Sequence, residues 1–243
     1  MGPYLDVVIF LVIISVYSLV ITHFIPKRYY SVSNILIALG SIAYGLVFGL
    51  SLRDMAMGLH AAGKSLVIVA GILLLIAIVL SLAYLIPPLK NLMSDGPSKR
   101  GSKNEALHEL LVRVPFGTAL SEEIIFRGVL LGMLLHDVSR FQAIIASALA
   151  FGLWHVIPTL QTVRANDAFK DLIGDKKRHH TLSILVTVLV TGMAGIVFAW
   201  LRLFADNLIA PWLVHTFING FAIGNAYIWF FIEKLRQTEG QKT

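Results

Sequence analysis

The chain has 243 residues, of which 57% are hydrophobic and 14% charged, with a mean hydropathy of +0.78 and a formal charge of +6. That balance excludes an ordinary soluble domain, where about a quarter of residues are charged, and marks an integral membrane protein. No cysteine is present, which excludes disulfides, thiolate metal ligands and a cysteine nucleophile.

A bilayer core of roughly 30 Å needs about 20 apolar residues of helix. The first such block covers 4–24; Met1 to Asp6 carries no Lys or Arg, so it lacks a secretory leader's basic start and is expected to stay as an anchor. Blocks over 34–50 and 65–87 follow, joined by Leu52 to Leu59, which reads as a connecting loop. Pro88 to Glu105, with Ser94-Asp95-Gly96-Pro97-Ser98 and the basic Lys99-Arg100, reads as a flexible cytoplasmic linker. Blocks over 109–136 and 139–157 come next, then a polar loop from Pro158 to His180, whose Lys176-Lys177-Arg178-His179-His180 end reads as solvated. The last blocks cover 182–203 and 207–232, the second long enough for Gly220 and Gly224 to break it in two.

The blocks are apolar all round rather than alternating, which disfavours a β-barrel. The expected fold is all-α, a polytopic transmembrane bundle of seven to eight spans: N-terminal helices over 1–88, a linker over 89–108, a site-bearing bundle over 109–235 and a tail over 236–243. Small residues at Gly128-x-x-x-Gly132, Gly220-x-x-x-Gly224, Ala146 and Ala150 are expected to allow close helix approach. One set of connecting segments holds most of the Lys and Arg, the other only Arg53, Lys64, Arg140 and Arg202. Cationic loops stay cytoplasmic, so an external N-terminus and a cytoplasmic C-terminus in the plasma membrane are expected, with the bilayer as partner and no nucleic acid.

Ionisable groups at membrane depth are costly and are kept when paired or functional. The fourth block contains Glu122-Glu123-Ile124-Ile125-Phe126-Arg127. At about 100° per residue, Glu123 and Arg127 share a face while Glu122 points elsewhere. Glu123 is therefore expected to neutralise Arg127, and Glu122 to face the bundle interior as the reactive carboxylate. The fifth block ends in Phe151-Gly152-Leu153-Trp154-His155, and the last holds His215 and Asn219 one turn apart, with Pro211 near the helix start and Asp206 or Asn207 to cap it.

Together these groups can hydrolyse a peptide bond in two ways. Glu122, His155 and His215 can bind a divalent metal, zinc before others, leaving an open position for water. Alternatively, with no metal, Glu122 and His155 deprotonate water while His215 and Asn219 hydrogen-bond the tetrahedral oxyanion. No nucleophile-elbow serine pattern and no His-Glu-x-x-His helix is present.

Glu122-Glu123-x-x-x-Arg127, Phe151-x-x-x-His155 and His215-x-x-x-Asn219, in this order on successive helices, resemble the CPBP family, the CAAX-protease and bacteriocin-processing group also called Abi. The resemblance covers the rear half, about Leu110 to Gly224. It implies a helical intramembrane endopeptidase related to the Ras-converting CAAX enzyme, acting on a membrane-associated polypeptide near its C-terminus. It implies Glu122 as catalytic carboxylate, His155, His215 and Asn219 as the rest of the site, and Glu123 and Arg127 as support. Some members of that family serve in immunity or as scaffolds, so a catalytically silent membrane protein is one rival reading. A proton-coupled transporter relaying ions through the same groups is the other.

Overall fold

A computed structural model describes residues 4–58, 62–83, 85–87, 103–165 and 176–240. Every regular element among them is helical: α1 (Leu5–Phe24), α2 (Tyr30–Val47, entered through a single tight turn at Lys27–Tyr29), α3 (Ala62–Ala83), α4 over 103–137, α5 (Arg140–Trp154), α6 (Val156–Ala165), α7 (Lys176–Ala205) and α8 (Ile209–Gly240). Four stretches are long and apolar enough to cross a membrane, Leu5–Phe24, Lys27–Val47, Arg140–Leu160 and Ile184–Ala205, so the chain is a multi-pass membrane protein. The other expected spans, α3, α4 and α8, are helical, and α4 carries Glu109, Arg113, Glu122, Glu123 and Arg127, which lower its hydropathy.

Local chemistry sets several helix ends. Gly49 adopts φ +93° after α2, where the Leu50 N–H reaches the Gly45 carbonyl at 2.9 Å and the Gly49 N–H that of Leu46 at 3.2 Å. This paired closure satisfies two orphan carbonyls and favours glycine at the left-handed position. Ser139 and Gln142 form a reciprocal capping box that starts α5. Asn207 Oδ1 accepts the Ile209 and Ala210 N–H groups, at 3.0 and 3.4 Å, and is the cap of α8.

The helix α4 is widened to i-to-i+5 turns over Glu109–Ala119 and Ile124–Leu130. Pro115 lies in the first stretch and cannot donate an N–H. Carbonyls along α4 are claimed by other elements: Pro115 by the Trp212 indole at 2.7 Å, Gly117 by Asn34 Nδ2 at 2.7 Å and Phe126 by the buried Ser147 hydroxyl at 2.9 Å. Wide turns of this kind concentrate at functional segments, and here they flank the two glutamates.

The segment 50–57 is more than a connector. Met55 and Ala56 are fully buried, Asp54 and Met55 carbonyls lie over Gly132 and Gly128, and the Asp54 carbonyl accepts the buried Arg202 guanidinium. The Ala56 carbonyl accepts the Leu208 N–H at 3.1 Å, tying the ends of α2, α4, α7 and α8 together.

Several expectations need correction. The polar stretch from Pro158 is helical to Ala165, because Pro158 falls in the first turn of α6, where a missing N–H costs little. Lys176 to His180 open α7 rather than closing a loop, while 166–175 lie outside the described residues. The linker over 89–102 also lies outside them, and 103–108 already belongs to α4. Gly220 and Gly224 do not break α8, which runs unbroken to Gly240 and takes in 236–240 of the expected tail.

The small-residue contacts also fall elsewhere than expected. Gly128 and Gly132 face the 54–55 backbone rather than a helix, Gly224 meets nothing within 4 Å, and Ala146 is exposed. α5 runs tightly against α7: a Cβ on Gly152 would stand 2.8 Å from the Val188 carbonyl oxygen, and one on Gly195 would stand 3.0 Å from Ala148 Cα.

Candidate active site

The middle of α4 buries three ionisable side chains side by side. Glu123 and Arg127 are fully buried, and Glu122 is 8% exposed. Arg127 donates to Glu123 Oε1 at 3.2 Å, the one-turn pairing that their spacing predicts. Its remaining donors, Nε and the other terminal nitrogen, have no hydrogen-bond acceptor. Aromatic faces surround the cation instead: the guanidinium carbon lies 3.9 Å from the Phe151 ring centre, 5.0 Å from Phe198 and 6.0 Å from Phe126. Ring quadrupoles attract a desolvated cation by roughly 2 kcal/mol or more, so they offset part of its burial cost.

Both imidazoles reach this cluster. The α8 residue His215, 4% exposed, places Nδ1 2.7 Å from Glu123 Oε1 and Nε2 3.6 Å from Glu122 Oε2. Glu123 is a carboxylate already holding a guanidinium and accepts here, so Nδ1 carries the hydrogen and the neutral ring turns a bare Nε2 to Glu122. His155, at the junction of α5 and α6, places Nδ1 2.8 Å from the Phe151 carbonyl, which can only accept. Its Nε2 is therefore also bare in the neutral ring, and stands 3.7 Å from the same Glu122 Oε2.

Two imidazole Nε2 atoms thus face one carboxylate oxygen at distances too long for a direct hydrogen bond, and that oxygen is buried without a hydrogen-bond partner. Glu122 Oε1 is occupied: it accepts the Trp154 indole N–H at 3.2 Å. Phe151 packs edge-on against His155, with centroids at 4.4 Å, and against His215 at 5.9 Å, and Phe198 stacks on His215 at 4.9 Å.

Of the residues expected from sequence, Glu122, Glu123, Arg127, His155 and His215 meet in one cluster. Asn219 lies one turn beyond His215, half-buried, without a hydrogen-bond partner among the described residues. Sequence reasoning gave no role to Trp154, Phe198 or Ser147. Trp154 adjoins His155 inside a short motif, a signal that was available; Phe198 and Ser147 sit in ordinary apolar helix with none.

The expected metal ligands Glu122, His155 and His215 offer the right atom types. Among the described residues, however, no three His, Asp or Glu side chains stand together as a set able to hold one ion.

Residues 105–221 match a family model described as type II CAAX prenyl endopeptidase Rce1-like. No curated protein matches the chain, and no solved structure does. The matched stretch takes in α4 through the site-bearing part of α8 and leaves α1, α2 and α3 outside it.

Proposed function

We propose, for a chain that carries an Rce1-like domain of the type II CAAX prenyl endopeptidase family over residues 105–221, that it is an intramembrane endopeptidase. Its substrate is a membrane-associated polypeptide, cleaved near the C-terminus in CAAX-type processing. The observation that carries this reading is the gap at Glu122 Oε2, a buried unpartnered oxygen faced by the Nε2 atoms of His155 and His215 at 3.7 and 3.6 Å.

In this mechanism a water sits in that gap, donating one hydrogen to Glu122 Oε2 and the other to His155 Nε2. Glu122 takes a proton as the water oxygen bonds to the scissile carbonyl carbon. The oxyanion so formed is served by the Asn219 amide and by His215, whose Nε2 donates when the ring carries both hydrogens and Nδ1 donates to Glu123. Glu122 then gives its proton to the departing amide nitrogen as the carbon–nitrogen bond breaks, and the hydrogen left on the new acid passes to His155 Nε2, leaving a carboxylate and a free amine. Glu123 and Arg127 hold His215 and the helix and do not touch substrate. Three α-helices supply the groups in a low-dielectric interior, where preorganised dipoles act most strongly.

The test is cleavage of a bilayer-tethered peptide by purified protein in liposomes. Glu122→Ala and His215→Ala abolish cleavage and Arg28→Ala does not. Wild-type turnover by Glu122→Ala refutes the assignment, and pH-driven solute flux without peptide products identifies a transporter instead.

A further inference from the structure

The site does not end at the matched domain. Trp154, whose indole N–H holds Glu122 Oε1 at 3.2 Å, lies stacked on Tyr17 of α1, with ring centroids 6.1 Å apart and planes 13° from parallel. The Tyr17 hydroxyl donates to Asn34 Oδ1 of α2 at 2.6 Å. Asn34 Nδ2 in turn donates to the Gly117 carbonyl at 2.7 Å, on the same α4 that carries Glu122. At that point α2 runs against α4 closely: a Cβ on Gly117 would stand 2.5 Å from Ser31 Oγ. The connections form a closed loop, from Glu122 through Trp154, Tyr17 and Asn34 back to Gly117, five residues earlier on α4.

We propose that Trp154 is the positioning residue of the Glu122 carboxylate, and that the first two helices, outside the family domain, set it through Tyr17 and Asn34. The physical case is the freedom that Glu122 otherwise has. Its Oε2 has no hydrogen-bond partner and meets the His155 and His215 Nε2 atoms only at 3.7 and 3.6 Å, so the indole is the hydrogen bond that fixes how the carboxylate is turned. The indole itself belongs to the last residue of α5, at the junction with α6. Phe126 packs edge-on to one side of it at 5.5 Å, and Tyr17 takes a face. Tyr17 is fixed in turn because its part-buried hydroxyl donates to one strong acceptor, Asn34 Oδ1. Asn34 uses both ends of its amide, so its orientation is set as well.

This inference rests on Glu122 being the reactive carboxylate, and the experiment separates the two. Indole 15N–1H resonances are recorded in detergent-solubilised protein, with Trp154 assigned by the resonance lost in Trp154→Phe. Glu122→Gln and Tyr17→Phe each move the Trp154 resonance. Tyr44→Phe does not, although it removes a similar α1–α2 hydrogen bond, from Tyr44 to the Asp6 carbonyl. In the cleavage assay Trp154→Phe, which keeps an aromatic ring and loses the N–H, lowers kcat about ten- to a hundredfold, the range for a hydrogen bond to a charged group, with KM unchanged. Tyr17→Phe lowers kcat by a smaller factor, again with KM unchanged, and Tyr44→Phe lowers neither. A Trp154 resonance indifferent to Glu122→Gln, or full kcat in Trp154→Phe, overturns the proposal. A resonance that responds in a wild-type protein without peptidase activity upholds the positioning and sinks the peptidase reading instead.

Discussion

Neutralising Glu123 and neutralising Glu122 should have opposite signatures, although the residues are neighbours. Glu123→Gln removes the negative charge paired with a fully buried guanidinium and weakens the Oε1 acceptor that Arg127 and the His215 Nδ1 hydrogen share. Breaking a buried ion pair by removing one partner costs about 3–5 kcal/mol. The cation–π contacts of Arg127 with Phe151 and Phe198 persist in the variant, so they cancel in the difference. Gln keeps an acceptor oxygen for Arg127, which places the loss near the lower bound, about 3 kcal/mol, or roughly a hundredfold in the folding equilibrium. Glu122→Gln breaks no guanidinium pair and keeps an acceptor for Trp154, so its stability cost stays below about 1 kcal/mol. Its activity instead falls by about 10²- to 10⁴-fold, the contribution of a positioned general base. Denaturant unfolding in detergent and cleavage of a tethered peptide, run on both variants, separate the two effects. A Glu123→Gln protein as stable as wild type, or a Glu122→Gln protein with ordinary turnover, refutes the division of roles.

Gly152→Ala sets a methyl 2.8 Å from the Val188 carbonyl oxygen and should destabilise by about 1–3 kcal/mol in unfolding assays, whereas Gly192→Ala, with only the Ala148 oxygen at 3.7 Å, should be close to neutral. Exhaustive chelation should leave cleavage intact; activity lost on chelation and restored by zinc would mean that Glu122, His155 and His215 close around an ion during turnover. The Asp54 carboxyl accepts the Ser51 hydroxyl and backbone N–H at 2.7 and 2.8 Å, which hold it below its ordinary value of 3.8. A lowered carboxyl stabilises the fold above its ordinary value and ceases to as pH falls through the lowered one. Hydrogen-exchange protection over 50–57, corrected for the intrinsic exchange rate at each pH, should therefore hold at pH 5 and fall only below about pH 3.8, with no such step in Asp54→Asn. Single cysteines introduced at Arg53 and at Lys234 should be labelled from opposite sides of sealed vesicles, as the Lys and Arg asymmetry requires.

The helical blocks and the carboxylate pair were legible because periodicity and the rarity of buried charge act within a single segment. Glu123 and Arg127 meet as a one-turn spacing demands, and Asn207 caps α8 as expected. What escaped depends on the partner chosen in three dimensions. Ala146 is as small as Ala143, yet faces outward, and the tight crossing uses Gly152 and Gly195 because α7 lies on that face. Leu52 to Leu59 reads as a loop by composition, and nothing local announces that its carbonyls will receive Arg202 and Leu208. The stretch after Pro158 misled because a proline within a polar run reads as a break, whereas at a helix start it is tolerated.

One inference from spacing needs more than confirmation. Adjacent carboxylates about 100° apart on a helix suggest separate tasks, Glu123 for Arg127 and Glu122 for chemistry. The structure joins them through one ring: His215 gives Nδ1 to Glu123 and turns Nε2 toward Glu122. Glu123 therefore acts beyond its own helix, since a carboxylate on Nδ1 fixes both the tautomer and the plane of the imidazole whose other nitrogen borders the gap. Arg127 holds that carboxylate in place, and Phe198 stacked on the ring prevents it from turning away. Beyond its expected pairing with Arg127, Glu123 is thus the link between α4 and α8. Exchanging Glu123 for aspartate, which keeps the charge but withdraws it by one methylene, should for that reason cost more activity than stability. Equal losses in the two would reduce Glu123 to a counter-ion.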